Sequence, residues 1–459
     1  MRPPLSFLVG SSRQPRWALL PLLILLGCRS SGPAAEGPTG AGGDAGTGGA
    51  SPPDASVPGR DGARSEPSFP DAATPDQGEG VDVPGPSDAP LGPDGPAPDV
   101  MAADGPRDLG ATADGLQHPG LVSSEAALLA IRANVNGAAD HPMKSGWTKM
   151  RSTRYAQLTY QATPFAIVHV LGSGSNAEEM ALRGDAEAAY AHALQWVVLQ
   201  DARYAAKAIE IMKAWSAVLK DIVPATAADP DHQDELETAW YAPQWLNAAE
   251  IIRHHRGGAA GWSAQDQAAF DRMVTVFKAK ADSWPGAANC CPNQGISIAL
   301  SRISIGVYTG DRKYVDAAIR FFSATMLPRA ISPTGEVLEI NRAAGGDCSH
   351  ATFNVEGMFD IAETAWHQGV DLYSDPRMPL GLEYMAQLLT TGATTTSEGV
   401  VHCATKPTGI EIGYNHYVNR VGRPALPHTV ELLKTLRPVD QGTTNFIPWD
   451  TLTHAQLGP

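Results

Sequence analysis

The feature that most constrains this chain is a helical period that recurs through its C-terminal part. Apolar residues return at three- and four-residue intervals in 183–200, 202–219, Glu235–His255, Ser263–Asp282, Gly295–Tyr308, Arg312–Met326, Thr352–Gly369, Pro379–Leu389 and Thr429–Leu436. The links between them carry turn residues: Gly257-Gly258, Gly310-Asp311 and Ser332-Pro333-Thr334-Gly335. Strand-like alternation is scarce. So many helices exceed a four-helix bundle, and short links make successive helices antiparallel neighbours. The expected fold class is all-α: an (α/α) toroid or an incomplete α/α barrel. Pro243 predicts a kink in its helix.

The two stretches before this region are of another kind. Arg2, Arg13 and Arg16 precede an apolar run, Trp17–Leu26, that is too short to span a bilayer as a mature helix. The run ends in Leu25-Leu26-Gly27-Cys28, which resembles a bacterial lipobox. Residues 1–28 therefore read as a lipoprotein signal peptide, with Cys28 lipidated. The expected location is exported: anchored by lipid to the outer membrane or cell surface, or periplasmic. Residues 29–117 hold 18 Gly and 15 Pro, and Phe69 is their sole aromatic. Such a segment cannot bury enough apolar area to offset chain entropy, so it reads as a disordered linker. The folded domain is then 118–459.

Charge narrows the partners. Taking the signal segment's +3 and the linker's −11 from the chain's −15 leaves −7 for 118–459. A mildly acidic domain is a poor nucleic-acid binder, and no nucleic-acid partner is expected. An anionic substrate would need a local cluster of cations. With Cys28 lipidated, Cys290, Cys291, Cys348 and Cys403 remain for disulfides, in any of their three pairings. Adjacent cysteines seldom bond each other, so Cys290 and Cys291 are each expected to reach a distant partner. The spacing matches no common zinc pattern; no metal and no cofactor is expected.

Three loop strings put polar groups between apolar helices: Cys291-Pro292-Asn293-Gln294-Gly295, the stretch Asn341–His350, and Glu411-Ile412-Gly413-Tyr414-Asn415-His416-Tyr417. Each has a plainer reading. Asn293 could cap its helix. Tyr414 and Tyr417 could be core aromatics with backbone partners. His254-His255-Arg256 reads as the cationic end of a helix, Glu250 as an ion-pair partner of Arg253, and Trp240, Tyr241 and Trp245 as core.

Taken together the strings resemble the alginate lyase family. GDCSHATFNVEGMFDIAETAWHQGVDLY, NQGISIALSRISIGVYTGDRKYVDAAIRFF, YAPQWLNAAEIIRHH and EIGYNHYVNRVGRPALPHT are similar to family segments, in the family's order, from about His141 to Pro438. The resemblance implies a helical toroid with a groove for an anionic uronate polymer, cleaved by β-elimination. A base removes the C5 proton, amides and a cation neutralise the carboxylate, and an acid protonates the leaving O4.

By the resemblance, Asn293 takes the catalytic Asn position. Gln294 stands where well-known members have His, so that base is missing. His350 falls where they have the catalytic Tyr. The Arg of the family's Arg-Asp pair is Gly346 here, and Arg342 is the nearest cation. The expected catalytic set is His350, Asn293, Tyr414, His416 and Arg342, with Gln294, Asp347, Asn415 and Tyr417 binding substrate. An unperturbed imidazole, with a pKa of about 6.5, suits the base. Two other readings compete: a surface lipoprotein that binds glycan without cleaving it, and a glycoside hydrolase. The latter needs paired carboxylates, for which Asp347, Glu339 and Glu411 are the candidates.

Overall fold

The computed structural model describes residues 114–457 apart from 173, 227–231, 286–290, 344–345, 392–393, 397–398, 402, 424–425 and 440–444. The signal segment, Cys28, Cys290 and the linker up to residue 113 lie outside the described residues. The helices are α1 (Glu125–Asn136), α2 (Met143–Ser152), α3 (Ala177–Leu199), α4 (Ala202–Ser216), α5 (Gln233–His254), α6 (Ala264–Ser283), α7 (Pro292–Thr309), α8 (Arg312–Phe321), α9 (Leu327–Ala330), α10 (Cys348–His367), α11 (Arg377–Thr391), α12 (Ile410–Tyr414), α13 (Pro427–Leu436) and α14 (Asp450–His454). Two small sheets accompany them: β1 (Ile167–Val170) parallel to β2 (Asp221–Pro224), and β3 (Thr394–Thr396) antiparallel to β4 (Gly399–Val401).

Burial sorts the helices into two layers. In α3 every residue from Gly184 to Val198 is buried, in α5 every residue from Asp234 to Ile252, and in α10 every residue from Ala351 to Ala365. A helix buried all round must have neighbours all round. By contrast α4 buries Tyr204, Ala208, Ile211, Met212 and Trp215, and α6 buries Phe270, Met273, Val274, Phe277 and Ala281, each a single stripe. The inner helices follow one another around a ring, α3 on α5, α5 on α7, α7 on α10. Between them the chain returns on the outside, with α4 against α3, α6 against α5, α8 against α7 and α11 against α10. The short helices α12 and α14 carry the ring from α10 to α1, which packs on α3. This is an all-α (α/α) toroid.

Helix ends follow local chemistry. The Asn176 side chain accepts from the backbone of Glu178 and Glu179, and the Glu179 carboxylate accepts from Asn176 N. This capping box starts α3 at Ala177, ahead of its apolar repeat. Pro292 opens α7, where its missing N–H costs nothing. Gly310, at φ 71°, ends α7 in the left-handed conformation. Pro243 lies inside α5 without ending it. The helix expected to run to Met326 instead ends at Phe321, and a π-helical turn, Phe322–Met326, follows.

Two further expectations are corrected. Residues 114–117, read as the end of the linker, pack on the domain: Leu116 is buried, and Gln117 N donates to Gln368 Oε1 at 3.0 Å. Cys348 bonds Cys403 across 55 residues. Neither is therefore the distant partner expected for Cys291, which is itself disulfide-bonded. Among the described residues no helix is long and apolar enough to cross a membrane.

Candidate active site

Cross-contacts show that the inner helices run parallel. Trp240 Nε1, early in α5, donates to Ser297 Oγ, early in α7, at 3.0 Å. Its ring lies 5.7 Å from that of Phe353, early in α10. Arg183, early in α3, stands 5.5 Å over the ring of Tyr241. The N-terminal halves of all four helices therefore lie toward one end of the ring. Their partial positive charges add there, which favours an anion.

At this end lies a cluster of amides, carboxylates, a histidine and an arginine. Asn293 is not the cap of α7; Cys291 holds that position. The Asn293 amide instead donates to Glu339, and Asn293 N donates to Glu339 Oε2 at 2.9 Å. Asn354 Nδ2 also donates to Glu339, and to His350 O at 3.0 Å. An ionised carboxylate only accepts, so it fixes which way both amides face. Burial pushes the Glu339 carboxyl up, and the bonds from Asn354 and Asn293 oppose that rise. Gln294 follows Asn293 in the first turn of α7 and is buried. The Arg342 guanidinium reaches to 4.0 Å of Glu339 Oε1 and is 40% exposed.

His350 is a half-buried titratable group of the cluster. Asp347 caps α10 by accepting from His350 N at 3.2 Å. The same carboxylate lies 2.7 Å from His350 Nδ1 through Oδ2 and 2.8 Å through Oδ1. Nδ1 therefore carries the hydrogen in the neutral ring, and Nε2 keeps its lone pair. Burial would raise the Asp347 carboxyl, but the His350 bond and charge, with help from Arg342, hold it below the usual range. The His350 ring stands edge-on to Phe353 at 5.6 Å, and its side chain is 35% exposed. The lone pair can thus reach a ligand.

The Tyr414–Tyr417 string lies elsewhere, contrary to the expectation of one groove. α12 runs along α10 away from His350: Gly409 lies against Glu356, and Gly413 against the Phe359 ring. His416 stacks on Tyr373 at 3.6 Å and sits 3.2 Å from Arg420, which pairs with Glu363. Glu363 is thirteen residues beyond His350 on one helix, about 20 Å along its axis. Burial and the Arg420 charge push His416 down to about 3. Tyr417 donates its hydroxyl to Tyr373 O at 2.9 Å. Asn415 Oδ1 accepts from Leu457 N at 3.0 Å and so ties down the C-terminal segment. The Tyr414 ring lies 5.7 Å under Arg437, which pairs with Glu411. All four residues hold the ring wall together.

The structure thus joins Asn293, Arg342, Asp347 and His350, and adds Asn354, whose sign in sequence was only its place four residues after His350. It also adds Trp240 and Phe353, read from sequence as core or not singled out. Glu237, one turn before Tyr241, is pushed up to about 7 by burial, against a hydrogen bond from Tyr241. The three carboxylates proposed for a hydrolase are all engaged: Glu339 under two amides, Asp347 on His350, Glu411 on Arg437.

The alginate lyase family model matches residues 154–395. Among solved structures the chain is similar to alginate lyase A1-III from Sphingomonas species A1, at 16% identity, over 59% of this chain and 80% of that one, with a TM-score of 0.47. It is similar to an alginate lyase from Bacteroides ovatus at 14% identity, over 59% and 84% of the two chains, with a TM-score of 0.47. A form of alginate lyase A1-III complexed with tetrasaccharide matches at 18% identity, over 59% and 78%, with a TM-score of 0.45. No curated protein matches the chain.

Proposed function

The chain belongs to the alginate lyase family, whose model spans more than half of it, and from that premise we propose that His350 is the base of its β-elimination. The protein is a polysaccharide lyase. The observation that carries the assignment of the base is the Asp347–His350 pair, which leaves Nε2 free to accept beside the Asn293 and Arg342 side chains. Nε2 takes the C5 proton of a uronate. The C–H electron pair forms the C4–C5 double bond, and the C4–O4 bond breaks.

Asn293 and Arg342 meet the uronate carboxylate, whose charge grows as C5 loses its proton. One Asn293 amide hydrogen is held by Glu339, which leaves the other for substrate. With Tyr414 and His416 distant, His350 returns its proton to O4 and serves as acid after base. One group on one side of the sugar requires the C5 hydrogen and O4 to leave from the same face. A uronate with those two substituents on one face is therefore the substrate class. Gln294, where the family's histidine would stand, can hydrogen-bond but not accept the proton.

The test is a panel of uronate polymers with absorbance of the unsaturated product as readout. Wild type should produce the chromophore and His350→Ala should lose about 10² to 10⁴ in rate. Chromophore formation by His350→Ala at the wild-type rate would remove His350 as base. The lipobox supports a second element of the reading: Cys28 is lipidated and holds the enzyme to the cell envelope on the linker. Cys28→Ser protein that still sediments with membranes like wild type would refute that element.

A further inference from the structure

A second cluster lies at the opposite end of the ring and takes no part in the reading above. Glu250 and His254 occupy the last turns of α5, ten and fourteen residues after Trp240. They share one face of the helix, four residues apart. His118, from the segment where the folded part begins, lies over them. Its ring stacks on that of His254 with centroids 4.6 Å apart. His118 Nδ1 is 3.0 Å from Glu250 Oε2, and His254 Nε2 is 3.6 Å from Glu250 Oε1. One nitrogen of each histidine and one oxygen of Glu250 all fall within 4.8 Å of one another.

The pairings expected from sequence do not form here. Arg253 lies 3.7 Å from Asp271 and over the Tyr308 ring, turned away from Glu250. His254 does more than end a helix: it faces a carboxylate that is only 1% exposed.

The hydrogen-bond arithmetic at His118 points to an occupant. Its Nε2 lies 3.1 Å from Asp114 Oδ2, so Nε2–H donates to that carboxylate. In a neutral ring Nδ1 then carries a lone pair, and that lone pair faces Glu250, which also only accepts. Something positive must sit between them. It is either a second proton on His118 or a cation shared by His118, Glu250 and His254. A proton would leave His118 and His254 as two separate donors to Glu250, whereas a cation would draw both ring nitrogens and the carboxylate to one point.

We propose that His118, Glu250 and His254 bind one zinc-type divalent metal ion, with Asp114 orienting His118 from behind. The chemistry suits it: two imidazoles and one carboxylate are a common zinc set. Ligand atoms about 2.0–2.1 Å from a tetrahedral zinc stand about 3.3 Å apart, and the separations of His118 Nδ1 and His254 Nε2 from the one oxygen Glu250 Oε1, 3.2 and 3.6 Å, bracket that value. The Asp114–His118 pair is the carboxylate–histidine–metal arrangement that fixes a ligand's tautomer. His254 is 29% exposed, which leaves an open side for a water as fourth ligand. Metal binding displaces the proton from His118 Nδ1 to solvent. The ion joins residues 132 apart in sequence and so pins the start of the folded part to α5.

The experiment uses the full chain, stripped with a chelator and titrated with zinc and with cobalt(II) by calorimetry and visible absorption. One equivalent should bind, with a cobalt ligand-field band in the visible and a raised melting temperature. His254→Ala, a partly exposed change, should lose the band and the saturable equivalent while keeping the wild-type circular dichroism. Asp114→Asn should keep one equivalent but weaken it about 10- to 100-fold. No saturable equivalent in wild type, or equal binding by His254→Ala, would overturn the proposal and leave a proton as the occupant. If His254→Ala failed to fold, unweakened binding by Asp114→Asn would overturn it instead.

Discussion

Replacing Asp347 with Asn separates the chemistry of the site from its architecture. Asp347 does two things through two oxygens. Oδ1 caps α10 by accepting from His350 N, and Oδ2 lies 2.7 Å from His350 Nδ1. Asn is as good an N-cap as Asp, so Oδ1 of the variant keeps the helix end. Its NH₂ then takes the place of Oδ2 and presents a donor to Nδ1. At that shorter contact His350 accepts at Nδ1, which moves its hydrogen to Nε2 and removes the lone pair that takes the C5 proton; only Oδ1, at 2.8 Å and already bonded to His350 N, is left to oppose this. Loss of a general base costs about 10² to 10⁴ in rate, or about 2.7–5.4 kcal/mol of barrier. We expect kcat to fall by that range for Asp347→Asn. KM should change little, because Asn293 and Arg342 are untouched. The assay is initial rate of unsaturated product against substrate concentration, with melting temperature measured on the same samples. A variant that melts like wild type and turns over within threefold of it would refute the tautomer argument and the role given to His350.

Three other outcomes follow from the same geometry. His416→Phe preserves the stack on Tyr373 and lies far from His350, so turnover should stay near wild type; a hundredfold loss would return His416 to the active site. Arg420→Met strips Glu363, buried at the far end of α10, of its two-pronged partner, and urea unfolding should show a loss of about 3–5 kcal/mol. Burial would raise the Glu363 carboxyl, but Arg420 and nearby histidines hold it far below its usual range. Its stabilising contribution is therefore present above an unfolded pKa of about 4.3 and is lost as pH falls below that, so wild type should lose more stability in acid than Arg420→Met does. Removing the Cys348–Cys403 bridge with paired serines frees a 55-residue loop and should cost about 4 kcal/mol by chain entropy, read from the same unfolding curves.

The toroid was legible because many helices keep one apolar period and short links join them. The stripes of α4 and α6 gave the period directly, with Phe270, Met273, Val274 and Phe277 as one clean face. The run from Gly184 to Val198 gave the helix, but that α3 has no outer face is seen only in its burial. Less legible were the ends set by side-chain caps. The box formed by Asn176 and Glu179 precedes the apolar repeat it starts, so periodicity alone placed that helix late. The π turn after Phe321 left no mark, because one extra residue in a turn leaves composition unchanged.

In the site the dividing line is range along the chain. Asp347 and His350 are three residues apart at a helix start, where a carboxylate can both cap the backbone and bond the ring; a D-x-x-H pattern already contains that geometry. Glu339 reaches Asn293 across 46 residues, and no local spacing reports such a pair. The Tyr-Asn-His-Tyr string misled for the opposite reason. Its residue types suit proton transfer, but their position depends on where α12 lies along α10. That position is set by Gly409 against Glu356 and Gly413 against Phe359, contacts whose hydrogen-only side chains let two helices approach closely. Adding a methyl at Gly413 would bring it against Phe359 and force the string away from Tyr373, whose ring and backbone carbonyl hold His416 and Tyr417. Those two glycines fix the string in the wall, remote from His350.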